Sequence, residues 1–193
     1  MVLQSAKDYF HFAESESQKV HISDGRMFLR RSTDKQDLVL LDAYVGGRYG
    51  SGIPQHLATK EFFELIRNHL TTNGIVAYNV IGTVRDWHAD IVGAMYRTLK
   101  TVFPQVYLFP AKSSRNVVLL ATMSRVPFNI DTVRLRASQL VQAGRITLPG
   151  FQSRMESFQS WAPPNAAHSP ILTDDYAPVE GLVGGGQATG EGK

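Results

Sequence analysis

The chain has 193 residues, of which 43% are hydrophobic, and it contains no cysteine. This length and apolar content suffice for one domain with a core, and the lack of cysteine excludes disulfides and thiolate metal sites. The 20 Lys and Arg residues against 17 Asp and Glu leave a net charge of +3, spread along the chain, which argues against nucleic acid as a partner. No apolar run approaches the ~18 residues of a membrane span, so a cytoplasmic protein is expected.

The first part of the chain predicts a helix, a short strand and a second helix. Apolar residues recur at helical spacing over residues 2–12, which indicates an amphipathic helix. Residues 19–23 are typical of a short strand that ends at Asp24 and Gly25, and residues 27–31 are expected to form a short helix. This alternation of helices and strands indicates an α/β fold.

Residues 37–44 are the most informative stretch. The apolar run from Leu38 to Leu41 predicts a strand buried on both faces, as in a parallel sheet. Asp42 follows where the strand should end, and a Gly-rich loop comes next. Because ligands of open α/β sheets bind beyond the carboxyl ends of the strands, Asp42 is the first candidate functional residue. The alternative is that Asp42 only caps the loop through backbone N–H groups.

The rest of the chain continues the alternation. Thr59 is expected to cap a helix, Asn73 and Gly74 to form a turn, and Pro104 to stop a helix. The last two predicted strands have the spacing of a β-hairpin, and the Gly-rich end of the chain predicts disorder. The predicted helices cover residues 60–69, 86–103 and 132–143, the strands cover 75–81, 106–109 and 116–123, and the disordered tail covers 181–193.

Five segments carry a resemblance to a known family. They are residues 6–10, 23–29, 37–44, 53–63 and 172–178. In combination they resemble the spermidine synthase family of polyamine biosynthesis, in its bacterial spermidine synthase-like branch, in register from residue 2 to residue 180. The resemblance implies the class I methyltransferase fold, a doubly wound and mostly parallel sheet with a C-terminal antiparallel hairpin.

The resemblance also implies that part of the nucleotide-binding unit is missing. In this fold a strand, its glycine-rich turn and a second strand with a ribose-binding acid precede the helix that matches residues 2–12. No Gly-x-Gly precedes that helix here. We therefore expect a chain truncated at its N-terminus by two strands, with a partial domain over residues 1–180.

The family transfers an aminopropyl group from decarboxylated S-adenosylmethionine to a polyamine, and a carboxylate accepts the proton of the attacking amine. The resemblance places Asp42 at that catalytic carboxylate. It places Asp24 at the acid that contacts the adenine, with Gly25 allowing close backbone approach, and makes Tyr44 a further cofactor-binding residue. A plain turn is the alternative for Asp24 and Gly25. Polyamine-making members usually carry a second Asp at the position of Val45, and an apolar side chain cannot pair with an ammonium.

Four further residues are candidates for binding the amine. Asp174 and Asp175 would attract a cation at the mouth of the cleft with Tyr176 as a wall, and a capping pair is the alternative. His56 either hydrogen-bonds the substrate or is structural. The six His residues lack the spacing of a metal site, so no metal is expected. A small-molecule amine is the expected partner, a homodimer is allowed, and neither nucleic acid nor a membrane is expected.

Three functions therefore stay open. The first is a polyamine aminopropyltransferase or a close relative. The second is an S-adenosylmethionine-dependent methyltransferase on the same fold, toward which Val45 shifts the balance. The third is a non-catalytic domain, which the missing nucleotide half favours. In the first two, S-adenosylmethionine or its decarboxylated form acts as the substrate.

Overall fold

The computed structural model describes residues 2–47, 50–86 and 88–184. Its helices are α1 (Val2–Phe10), α2 (Gly25–Arg31), α3 (Lys60–His69), α4 (Ala89–Val102), α5 (Ile130–Gln142), α6 (Phe151–Met155) and α7 (Val179–Gly184). Its strands are β1 (Gln36–Leu41), β2 (Val45–Gly47), β3 (Gly50–Gly52), β4 (Leu70–Ile81), β5 (Gln105–Pro110) and β6 (Asn116–Thr122). Two short 3-10 turns, Gln55–Leu57 and Pro164–Ala167, complete the elements.

The main sheet has four strands in the order β1-β4-β6-β5. Strand β1 runs parallel to β4, whereas β6 is antiparallel to both β4 and β5. The predicted α/β class and the antiparallel hairpin of the last two strands are therefore confirmed. The expected mostly parallel sheet is not found in the described residues, where one strand pair of the main sheet is parallel and two are antiparallel. The Gly-rich loop after β1 forms a small separate hairpin, in which β2 pairs with β3.

The core lies between this sheet and helices α3 and α4. Helix α3 begins where the sequence predicts, because the Thr59 side chain accepts the N–H of Phe62 and caps it. Helix α4 is buried over most of its surface, since it packs against α3, β5, β6 and the turn Pro164–Ala167. Gly93 permits that approach: a Cβ there would lie 2.5 Å from Ser169 Oγ and 3.1 Å from the backbone of Asn165.

Several sequence expectations are wrong in the N-terminal part. Residues 19–23 form no strand. The predicted first helix is present as α1, but it buries none of its residues. Strand β1 is consequently an edge of the described sheet, and its apolar run is not buried on both faces: Leu38 is 51% exposed and Leu40 is 69% exposed. Their exposure follows from the absence of any described element packed over that face of β1.

Two other boundaries differ from the prediction. Asn73 and Gly74 lie inside β4, where the register with β1 shifts between the pairs Gln36–Leu70 and Leu38–Ile75, so the expected turn is an irregularity within the strand. Helix α7 extends past residue 181 to Gly184, and residues 185–193 of the predicted tail lie outside the described part. Within the described ranges, no helix is long and apolar enough to cross a membrane.

Candidate active site

Asp42 lies at the carboxyl end of β1, immediately beside the end of the parallel strand β4. Since Leu41 is opposite Tyr78 in the register, the next residues along, Asp42 and Asn79, become neighbours. The amide Nδ2 of Asn79 donates a hydrogen bond to Asp42 Oδ1 at 2.9 Å. Asp42 is exposed at the carboxyl edge of the sheet, which leaves its carboxylate accessible to a ligand.

Asn79 is the centre of a small hydrogen-bond network. Its side-chain oxygen accepts a hydrogen bond from Asn116 Nδ2 at 3.0 Å, and its backbone carbonyl accepts the hydroxyl of Tyr44 at 2.6 Å. Burial, and then the negative charge of Asp42, raises the pKa of Tyr44 to about 12. Tyr44 therefore remains a neutral hydrogen-bond donor at physiological pH.

A cavity of about 380 Å³ borders this network, and we call it the hairpin pocket. It lies between the loop after β4 and the turn of the β5–β6 hairpin, with Trp161 and Gln159 from the C-terminal part of the chain on its wall. Asn116 lines it, as do the charged side chains of Arg85 and Asp86. Asp86 has a φ of +64°, a left-handed conformation that is uncommon outside glycine.

Asp24 caps the N-terminus of α2. Its Oδ1 accepts the backbone N–H of Met27 at 2.9 Å, and its Oδ2 lies 2.7 Å from Nε2 of His56. The Met27 N–H, assisted by His56, holds the pKa of Asp24 below its ordinary value. Gly25 is the first residue of α2, and no atom lies within 4 Å of the position a Cβ would take there. Open space at Gly25 is compatible with a close approach by a ligand.

Arg26 and Asp174 form a partly buried ion pair behind this cap. The Arg26 side chain is 10% exposed and donates to both oxygens of Asp174, at 2.7 and 2.6 Å. Thr59 Oγ1 also donates to Asp174, and Arg26 donates to the carbonyl of His56. Hydrogen bonds from Arg26 hold the pKa of Asp174 at about 2. Asp174 thus anchors the C-terminal loop to α2 and α3.

The structure separates the predicted site residues into two groups. Asp42 and Tyr44 are joined through Asn79, whereas Asp24, His56 and Asp174 are joined through Arg26 and the cap of α2. Asp175 and Tyr176 are exposed on the loop that follows Asp174. In the described ranges, no three His, Asp or Glu side chains are grouped closely enough to hold a metal ion.

The sequence analysis missed Arg26, Asn79 and Asn116. Asn79 carried a usable signal, because it is a polar residue near the carboxyl end of an otherwise apolar strand. Asn116 begins β6 and gave no such contrast with its neighbours. Arg26 gave none either, since its partner lies 148 positions away in the sequence.

Comparison with known proteins gives relatives of one kind. No protein-family model matches the chain. The chain is 31% identical over 186 residues to the polyamine aminopropyltransferase of Vibrio vulnificus, a match covering 93% of this chain and 58% of the relative. It is 29% identical over 182 residues to a probable polyamine aminopropyl transferase of Bifidobacterium longum, covering 89% and 40%. The chain therefore spans about half the length of the curated relatives it matches.

Solved structures agree on the fold. Human methyltransferase-like protein 13, in complex with SAH, superposes with a TM-score of 0.65 at 22% identity, covering 76% of this chain and 68% of that one. A probable spermidine synthase from Corynebacterium glutamicum gives a TM-score of 0.64 at 18% identity, covering 91% and 61%. The chain is therefore similar in sequence to polyamine aminopropyltransferases, and it has the fold that these methyltransferase and spermidine synthase structures share.

Proposed function

We propose that this chain carries the catalytic carboxylate of an aminopropyltransferase, and that Asp42 is the general base. The reaction moves an aminopropyl group from decarboxylated S-adenosylmethionine to a small amine. The proposal is supported by the similarity to the Vibrio vulnificus and Bifidobacterium longum relatives, whose names state aminopropyl transfer. Decarboxylated S-adenosylmethionine is a substrate of this reaction, and the transfer of its aminopropyl group requires no metal.

The observation that carries the proposal is the state of the Asp42 carboxylate. One oxygen is anchored by Asn79, while within the described part of the chain Oδ2 makes no hydrogen bond and the side chain is exposed. A general base needs this combination of fixed orientation and a free acceptor atom. Asp174, by contrast, has both oxygens engaged by Arg26 and does not offer a comparable acceptor.

The step is a displacement at carbon. The amine nitrogen attacks the propyl carbon bonded to the sulfonium, the carbon–sulfur bond breaks, and its electron pair returns to sulfur to give methylthioadenosine. The attacking nitrogen loses its proton to Oδ2 of Asp42. Tyr44 stays protonated through this step, since its pKa is raised to about 12, and it holds the Asn79 backbone in place.

Nucleoside recognition is assigned to Asp24, Gly25 and Tyr44. Asp24 already accepts the Met27 N–H and lies against His56. An ionised carboxylate has about four lone-pair sites, so Asp24 retains capacity for an adenine amino group. Of the residues expected to contact the amine, Asp175 and Tyr176 present open side chains, His56 is paired with Asp24, and Asp174 serves by holding their loop.

Methyl transfer from S-adenosylmethionine is the second candidate, and Val45 is the observation that favours it. Val45 is 50% exposed close to Asp42 in the sequence, and it cannot pair with the second charge of a polyamine. A neutral or singly charged acceptor is consistent with such a surface. The two candidates share Asp42 as a base and differ in the group that is transferred.

Titration calorimetry of the 193-residue chain with S-adenosylmethionine, its decarboxylated form and methylthioadenosine tests the choice. Preference for the decarboxylated form supports aminopropyl transfer, and preference for S-adenosylmethionine supports methyl transfer.

Turnover is measured in a chimera in which residues 2–180 replace the matching part of the Vibrio vulnificus relative. Asp42→Asn should lower that turnover by roughly 10²–10⁴-fold while nucleoside affinity is retained. Unchanged turnover would reduce Asp42 to a loop cap.

A further inference from the structure

We infer that Asn116 is a positioning residue for Asp42 and that it acts through the side-chain amide of Asn79. The inference rests on the proposed function, which makes Asp42 the base. Three side chains form one line of hydrogen bonds: Asn116 Nδ2 donates to Asn79 Oδ1 at 3.0 Å, and Asn79 Nδ2 donates to Asp42 Oδ1 at 2.9 Å. We call this line the amide relay.

The pairing of strands brings the relay together. Asn79 of β4 is opposite Val118 of β6, and Ile81 is opposite Asn116. Asn79 and Ile81 point to the same face of the sheet because side chains alternate along a strand, and Asn116 shares that face as the partner of Ile81. The two asparagines are therefore diagonal neighbours on adjacent strands. Both are half-buried and both stand on regular structure, which limits their freedom to move.

The charge of Asp42 sets the direction of the relay. An ionised carboxylate only accepts hydrogen bonds, so Asn79 must present its NH₂ group to Asp42. Its oxygen then faces Asn116, which must in turn present its own NH₂ group. Each amide could be turned over in isolation, but only this one arrangement satisfies all three side chains. Asn116 thereby adds a second hydrogen bond that stabilises the orientation of Asn79 that donates to Asp42.

The relay has a consequence for the reacting oxygen. Because Oδ1 of Asp42 is hydrogen-bonded to Asn79, the rotation of the carboxylate is restricted and the orientation of Oδ2 is fixed with it. A hydrogen-bond acceptor in place of the Asn116 donor would compete for the NH₂ group of Asn79 and turn that amide over, so that its oxygen faces the Asp42 carboxylate and repels it. Asn116 also lines the hairpin pocket, so the relay connects the wall of that pocket to the base.

Two substitutions separate positioning from packing. Asn116→Asp keeps the size of the side chain, but its carboxylate competes with Asp42 for the single NH₂ group of Asn79. Asn116→Leu removes the donor without adding a competitor, so Asn79 keeps its orientation toward the charge of Asp42. A positioning role therefore makes Asn116→Asp the more disruptive change, whereas a packing role makes Asn116→Leu the more disruptive one. Ser113→Ala, in the turn of the same hairpin, is the matched control.

The measurement is the chemical shift of the Asn side-chain NH₂ groups, recorded by nuclear magnetic resonance on the full 193-residue chain. In the otherwise unaltered chain, Asp42→Asn should shift the NH₂ resonances of Asn79. This response should fall at least twofold in the Asn116→Asp background and persist with Asn116→Leu and Ser113→Ala. A full response in Asn116→Asp, or a larger loss with Asn116→Leu, overturns the inference.

A second measurement does not depend on the folding of Asn116→Asp. Asp42→Asn should also shift the NH₂ resonances of Asn116, and Asn79→Leu should abolish that transmission. Absence of any response at Asn116 in the otherwise unaltered chain overturns the inference. Both readouts are independent of turnover. If the Asp42→Asn chimera remains active, the proposed function fails while the relay is still decided by these resonances.

Discussion

The guanidinium of Arg26 holds both carboxylate oxygens of Asp174, at 2.7 and 2.6 Å, across 148 positions of the sequence. Arg26 lies in the first turn of α2, and Asp174 lies near the end of the described part. Thr59, which caps α3, donates to the same carboxylate at 2.7 Å. This cluster fastens the C-terminal loop to two helix N-termini.

Removing the carboxylate should destabilise the fold. Asp174→Asn leaves the Arg26 guanidinium, which is 10% exposed, without its charged partner. Because Asp174 itself is 41% exposed, we expect a loss of about 1–3 kcal/mol in the free energy of unfolding rather than the larger cost of a fully buried pair. Urea denaturation measures it. The control is Asp175→Asn on the exposed neighbour, and an equal loss in both variants would contradict the role of the ion pair.

The same pair predicts a dependence of stability on pH. The pKa of Asp174 is about 2 in the folded protein, below the ordinary value of about 3.9 expected when unfolded. The unfolded chain therefore binds the proton first, and the stabilisation is fully present above about pH 4 and lost as the pH falls toward 2. Denaturation midpoints should decline less steeply over this range in Asp174→Asn than in the unaltered chain. Parallel declines would refute the assignment.

Some of this could be predicted from the sequence because its determinants are local. Helix α3 is found at residues 60–69 as predicted, since the Thr59 cap and the apolar face are both written into neighbouring residues. The β5–β6 hairpin is also local, because a short polar turn joins its strands. The place of Asp42 at the end of β1 could be predicted because the apolar run stops there. In each case a contact between near neighbours determines the structure.

The remainder could not be predicted because it depends on distant partners. The ion pair of Asp174 with Arg26 joins residues 148 positions apart, and nothing near either residue in the sequence signals the other. The exposure of Leu38 and Leu40 depends on what covers β1, whereas the composition of β1 alone predicts burial on both faces. Likewise, Asn116 meets Asn79 only through the register of β4 and β6.

The exposed edge of β1 predicts self-association. Within the described residues no strand pairs with its outer side, and Leu38 and Leu40 are 51% and 69% exposed. Unpaired N–H and C=O groups with apolar neighbours favour pairing between chains, and a Lys on an edge strand opposes it. The chain should show concentration-dependent association in analytical ultracentrifugation, and Leu40→Lys should reduce it. Leu135→Lys, on the exposed surface of α5, is the control. A stable monomer at all concentrations would contradict the prediction.

Gly93 should be intolerant of a side chain, because α4 and the turn Pro164–Ala167 meet there. A Cβ would lie 2.5 Å from Ser169 Oγ and 3.1 Å from the backbone of Asn165. Gly93→Ala should therefore lower the free energy of unfolding by about 1–3 kcal/mol, as overpacking does. Gly181→Ala in α7 meets no atom within 4 Å and should be neutral or raise stability by up to about 1 kcal/mol. Equal thermal shifts in both variants would exclude the close approach as the cause.

The last prediction concerns the charge that the acceptor carries. Val45 is 50% exposed three residues after Asp42, at the position where polyamine-making relatives are expected to hold a second acid. A polyamine retains a positive charge on the nitrogen that does not attack, and desolvating that charge beside an apolar side chain is costly. Val45→Asp should therefore raise kcat/KM for a diamine by roughly tenfold or more in the chimera, mainly through a lower KM, because a charged hydrogen bond is gained. Val45→Asn introduces a side chain of the same shape as Asp but without the charge, so it should raise kcat/KM for the diamine much less. Neither substitution should raise kcat/KM for a monoamine. A diamine that is turned over equally well with Val45, Asp or Asn at this position would show that the acceptor charge is recognised elsewhere.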